Sequence, residues 1–109
     1  FRAGKAPAGG QIVAKNIRLA SGETTVAGTL ASYTVEAGDS QLRIKCAKDS
    51  AVALRWQVKD GVVITSDITA STGNVLAAGE GWVLDPDVGE LQVIGESGTA
   101  TYEVTISRG

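Results

Sequence analysis

Gln41-Leu42-Arg43-Ile44-Lys45-Cys46 and Ala51-Val52-Ala53-Leu54-Arg55-Trp56-Gln57-Val58 decide the fold of this chain. Both alternate at period two. Leu42, Ile44 and Cys46 share one face, with Gln41, Arg43 and Lys45 on the other. Val52, Leu54, Trp56 and Val58 face one way, and Ala53, Arg55 and Gln57 the other. Successive side chains of a strand point to opposite faces, so each segment is a strand with one buried side.

Downstream, Asp60-Gly61 predicts a two-residue type I′ hairpin, because that turn needs positive φ at both positions. The return strand is then Val62–Ser66, with Val58 opposite Val63 and Trp56 opposite Thr65. Ala70-Ser71-Thr72-Gly73-Asn74 reads as a polar loop. Val75-Leu76 and Trp82-Val83-Leu84 flank a turn at Ala77–Gly81. Asp85-Pro86-Asp87 stops the second of these strands, since proline cannot donate to a ladder. Leu91–Gly95 and Ala100–Ser107 are strands, the latter with Tyr102, Val104 and Ile106 inward.

Upstream, Leu30–Val35 places Tyr33 and Val35 on one face, and a short strand is expected around Thr24–Val26. A first strand from Gln11 sets Val13, Lys15, Ile17 and Leu19 together. Residues 1–10 hold three Gly, one Pro and two positive charges without periodicity. They read as an extended arm that builds no core of its own. The turn Ala37-Gly38-Asp39-Ser40 recurs in type as Ala78-Gly79-Glu80-Gly81, each before a strand, as in pseudo-repeated Greek-key halves. The expected fold is all-β: an antiparallel β-sandwich or jelly roll of about eight strands over residues 11–109, carrying the arm at 1–10.

The 109 residues, 43% apolar and 20% charged, suit one globular domain. The chain has no His, which removes every His-dependent base, triad and metal site. Its lysines fall at outward or turn positions, where nothing desolvates them into nucleophiles or bases. Cys46 is the sole cysteine, so no intramolecular disulfide forms. Its place in the alternation makes it a small buried hydrophobe. Asp85, Asp87 and Glu90 match no calcium loop and read as a solvated acidic turn. Gly79-Glu80-Gly81 opens a strand rather than a helix and carries an acid, so it is no phosphate cradle. Neither a catalytic residue nor a cofactor or metal is expected.

Net charge is −2 but unevenly spread: residues 1–59 hold nine of the ten basic residues and four acids, and residues 60–109 hold Arg108 and eight acids. The split suits head-to-tail subunit contact, unless interleaved strands mix the charges. No strongly basic region suggests nucleic acid. No stretch approaches the ~20 apolar residues of a membrane-spanning helix. Of the two tryptophans, Trp56 belongs to the core pattern. Trp82 reads either as core or subunit interface, or as an exposed platform for a ligand. The candidate interface is therefore Trp82 together with Phe1, Arg2 and Lys5 of the arm, Phe1 acting as a small anchor on a neighbour.

Residues 71–84 (Ser-Thr-Gly-Asn-Val-Leu-Ala-Ala-Gly-Glu-Gly-Trp-Val-Leu), 89–95 (Gly-Glu-Leu-Gln-Val-Ile-Gly) and 97–104 (Ser-Gly-Thr-Ala-Thr-Tyr-Glu-Val) carry a resemblance. This order of polar loop, Leu-x-x-Gly-Glu turn, strand, Leu-x-Val-Ile strand, Ser/Gly turn and final strand resembles small β-rich virion proteins of tailed bacteriophages. The resemblance spans about a third of the chain and carries over no functional residue. It implies a non-enzymatic capsid decoration (cement) protein on the virion surface, which binds the major capsid protein or other virion subunits and stabilises the head lattice. A homo-oligomer, with a trimer favoured, is the expected state. The alternative is a carbohydrate-binding or adhesin-like sandwich on a tail or head fibre.

Overall fold

The computed structural model describes residues 16–108. Their elements are β1 (Asn16–Ser21), β2 (Ala31–Val35), β3 (Asp39–Cys46), β4 (Leu54–Lys59), β5 (Asn74–Leu76), β6 (Gly81–Leu84), β7 (Gly89–Gly95) and β8 (Tyr102–Arg108). They form two four-stranded antiparallel sheets packed as a sandwich, ordered β1-β8-β3-β6 and β2-β7-β4-β5. Every connection crosses between the sheets except β4 to β5, whose strands are neighbours. The arm, with Phe1, Arg2 and Lys5, and the expected strand residues Gln11 to Lys15 lie outside the described residues.

The two alternating segments behave as their patterns require. Leu42, Ile44 and Cys46 are buried from β3, and Leu54 and Trp56 from β4. Val35, Leu91, Val93, Val104 and Ile106 complete the layer between the sheets, with Val52 and Val58 packed at its margin. Burying each such aliphatic side chain contributes roughly 1.5–3 kcal/mol, so the shared face holds the two sheets together.

The recurring turn is one structure used twice. The Glu36 amide donates to the Asp39 carboxylate and the Asp39 amide returns a bond to the Glu36 carbonyl. The Ala77 amide likewise donates to the Glu80 carboxylate, and the Glu80 amide to the Ala77 carbonyl. Gly38 and Gly79 take φ of 97° and 88°, conformations that glycine adopts without a Cβ penalty. Each turn carries the chain from the second sheet to the first, β2 to β3 and β5 to β6.

Three expectations are corrected. Val62–Ser66 is not a strand, and β4 pairs with β5 and β7 instead. Gly61 does take positive φ, but the Asp60 carboxylate accepts from the amides of Val62, Val63 and Ile64. Those amides are thereby withdrawn from any ladder. Second, Thr24–Val26 contributes only isolated bridges, Thr24 to Thr101 and Val26 to Thr29. Third, Ile17 does not share the core face with Leu19. A bulge between them shifts the register, so Leu19 packs on the core while Ile17 is 64% exposed.

Candidate functional site

The corner where β5 passes into β6 builds the one feature that positions an aromatic toward solvent. Leu76 ends β5 pointing into the core, and the turn Ala77–Glu80 climbs to the other sheet. Cys46 at the end of β3 clasps that turn: its amide donates to the Glu80 carbonyl, and its carbonyl accepts from the Gly79 amide. Trp82 then falls opposite Ile44, a core residue, so its register is that of an inward position. β6 and β5 are outer strands of their sheets on the same side, and no strand closes the space between them. Trp82 is consequently 56% exposed, whereas Trp56, one strand further in, is 7% exposed.

Trp56, Asn74, Val75, Leu76 and Trp82 line an open groove of about 190 Å³, with Glu80 and Gly81 bounding its continuation. This is below the ~300 Å³ at which pockets usually begin to enclose a small molecule. The groove suits a surface contact rather than engulfed chemistry. The Asn74 side-chain amide donates to the Trp56 carbonyl at 3.4 Å, and the Glu80 carboxylate accepts from Ala77 at 2.8 Å. Both polar groups are oriented by the scaffold. Val83, half-exposed on the outer side of β6, extends the apolar strip. The sequence expected Trp82 either in a core or interface or as an open platform. The structure places it at an inward register on an uncovered side.

Charged side chains gather elsewhere. Asp39 is fully buried between two guanidinium groups: Arg18 donates to both its oxygens at 2.7 Å, and Arg108 Nε donates to Oδ1 at 2.9 Å. The Arg18 bonds, together with the Glu36 amide and Arg108, hold the Asp39 carboxyl well below the usual carboxylate range against the opposing effect of burial. Glu36 completes the cluster by pairing with both arginines. With its oxygens so occupied, Asp39 is a clamp joining β1, β3 and β8, not a proton acceptor. Sequence reasoning took residues 36–40 for a plain turn, because the arginines converge only through the β1-β8-β3 pairing.

A second unanticipated network covers the outward face of the other sheet. Residues 60–73 fold back over β4 and β7 with Ile68 buried beneath them. Gln57 donates to Gln92 and to the Ser66 carbonyl, both at 2.8 Å, and Gln92 accepts from the Ile68 amide. Gln92 also donates to Asp67, which pairs with Lys59. The bond from Lys59 is the leading cause that lowers the Asp67 pKa.

Among the described residues, no group of three or more metal-ligating side chains is arranged to hold an ion. Asp85 and Asp87 are exposed on the β6–β7 connection. Cys46 is buried, its thiol directed at the Val52 carbonyl. Ion pairs Arg55–Glu96, Lys59–Asp67 and Arg108–Glu36 join the basic and acidic halves of the sequence, so the charge split is partly mixed by the fold. Arg43, Lys45 and Lys48 form no ion pair among the described residues. Comparison with protein-family models, with curated proteins and with solved structures finds no match.

Proposed function

We propose that this chain is a non-enzymatic virion structural protein, a capsid decoration protein that binds the major capsid protein or neighbouring virion subunits and stabilises the head lattice. The observation that carries this reading is the uncovered β5/β6 side. An aromatic at a core register, with Val75 and Val83 beside it, stays half-solvated on a rigidly clasped corner. Apolar surface of that kind is what a subunit contact covers. The strand order β1-β8-β3-β6 facing β2-β7-β4-β5 supports a jelly roll, an architecture shared by viral capsid and lectin domains. The step from architecture to role is by analogy. Quantitative mass spectrometry of purified particles from cells that make the chain tests the reading. A copy number related to the capsid lattice is expected, and absence from particles overturns it.

One observation favours a second reading, a carbohydrate-binding module. Trp82 stands beside the oriented polar groups of Asn74 and Glu80, and an aromatic face with fixed hydrogen-bonding groups is a platform for a sugar ring. Titration with a glycan panel then changes Trp82 emission. Emission unchanged across the panel removes this reading.

A further inference from the structure

We infer that the arm Phe1–Lys15 of one copy docks along the open β5/β6 side of a second copy, so that subunits assemble by exchanging arms. This deepens the assembly reading and rests on it. Fifteen residues precede β1, a reach of roughly 50 Å if extended. They carry Arg2, Lys5 and Lys15 and no acid, with Phe1, Ile12 and Val13 as their large apolar side chains. The open side offers the complement. Trp82, Val75 and Val83 are exposed apolar surface, and exposed Glu80, Asp85 and Asp87 stand at the two ends of β6.

Charge also selects the second copy over the first. β1 and β6 are the two outer strands of one sheet, separated by β8 and β3. A chain folding its own arm onto its own groove would cross the outward face of β3. There exposed Arg43 and Lys45 lack ion-pair partners, and Glu103, opposite Lys45, is the one acid on the adjoining outward positions of β8. Like charges repel the basic arm along that path, whereas a neighbour's β1 edge set beside the groove avoids it.

Sedimentation equilibrium of the full chain, at low and high salt, tests the exchange against three full-length variants. The first is Trp82→Ser; the second combines Phe1→Ser, Ile12→Ser and Val13→Ser; the third combines Arg2→Glu, Lys5→Glu and Lys15→Glu. The full chain is expected to self-associate, more weakly at high salt, with a blue shift of tryptophan emission. Each variant is expected to weaken association at least tenfold. Mixing Trp82→Ser, which keeps its arm, with the triple-serine variant, which keeps its groove, is expected to restore 1:1 dimers. A full chain monomeric at every concentration overturns the inference, as does association unchanged by both arm variants. A monomer whose Trp82 emission responds to the arm substitutions places the arm in its own groove and overturns the exchange. Self-association without incorporation into particles would sink the virion reading while leaving arm exchange standing.

Discussion

The phenolic oxygens of Tyr33 on β2 and Tyr102 on β8 lie 2.5 Å apart, hydrogen-bonded across the interior between the two sheets. Their rings meet edge to face, with centroids 6.5 Å apart. Tyr102 is buried, while Tyr33 is half-buried and also reached by the Ser21 hydroxyl at 3.4 Å. The pair is therefore asymmetric. Tyr33→Phe strands the Tyr102 hydroxyl in the core and is expected to cost about 1–3 kcal/mol. Tyr102→Phe leaves Tyr33 with Ser21 and solvent and is expected to cost less than about 1 kcal/mol. Urea midpoints at unchanged slope measure both, and equal losses would contradict the asymmetry.

The same pair predicts alkaline behaviour. Burial, and then the bond to Tyr33, push the Tyr102 phenol above its ordinary range. In the unfolded chain tyrosine loses its proton near pH 10, so above that pH the folded state holds the extra proton. Stability is complete below pH 10 and falls as pH rises beyond it. Tyr102→Phe is expected to flatten that decline.

Acid acts through Asp39. Its carboxyl titrates below the unfolded value of ~3.9, so in acid the unfolded chain binds the additional proton. The contribution is complete above about pH 5 and is lost as pH falls through the carboxylate range. Asp39→Ala leaves Arg18 and Arg108 sharing only Glu36. It is expected to cost about 3 kcal/mol at neutral pH, the low end for breaking a buried pair, because both arginines reach solvent. Denaturation at pH 7 and pH 3 should show wild type losing stability in acid and the variant losing less.

Gln92 predicts a local effect on the segment 60–73. Gln92→Leu keeps an apolar bulk but removes the acceptor for the buried Ile68 amide and the donor to Asp67. A cost of about 1–3 kcal/mol is expected. Hydrogen exchange should accelerate at Ile68 far more than at Leu42 or Ile44 in the other sheet. Uniform acceleration would mean that the segment opens only with the whole domain.

Two glycines with similar backbones should answer differently to alanine. Gly61 and Gly73 have φ of 79° and 82°. A Cβ on Gly61 meets nothing within 4 Å, so Gly61→Ala is expected to cost only about 1–2 kcal/mol, from the backbone conformation. A Cβ on Gly73 falls 2.7 Å from Ile68 Cδ1 and 2.9 Å from the Trp56 carbonyl. Gly73→Ala is expected to lose clearly more, with the Ile68 cover displaced. Thermal midpoints of the two variants decide this.

Period-two alternation determined the all-β class, the two central strands and most of the core. Leu42, Ile44, Cys46, Leu54, Trp56, Val104 and Ile106 were all legible, because strand geometry alone sends alternate side chains to one side. The kinship of the turns before β3 and β6 was visible as Ala-Gly-acid, since an acid that closes back on its own turn is a local interaction. Tertiary structure decided what depends on residues far apart in the chain. Asp60-Gly61 satisfies a hairpin pattern, yet Asp60 binds the next amides and the buried glutamines hold residues 60–73 over the sheet. Gln57 and Gln92 read as solvent-facing because period two reports which face a residue occupies, not whether another segment covers that face. Trp82 has a core register and an exposed ring for the converse reason: exposure on an outer strand is set by whether a neighbour closes the sheet edge. Arg18, Asp39 and Arg108 meet only through pairing between strands at opposite ends of the chain, an order that local pattern does not encode.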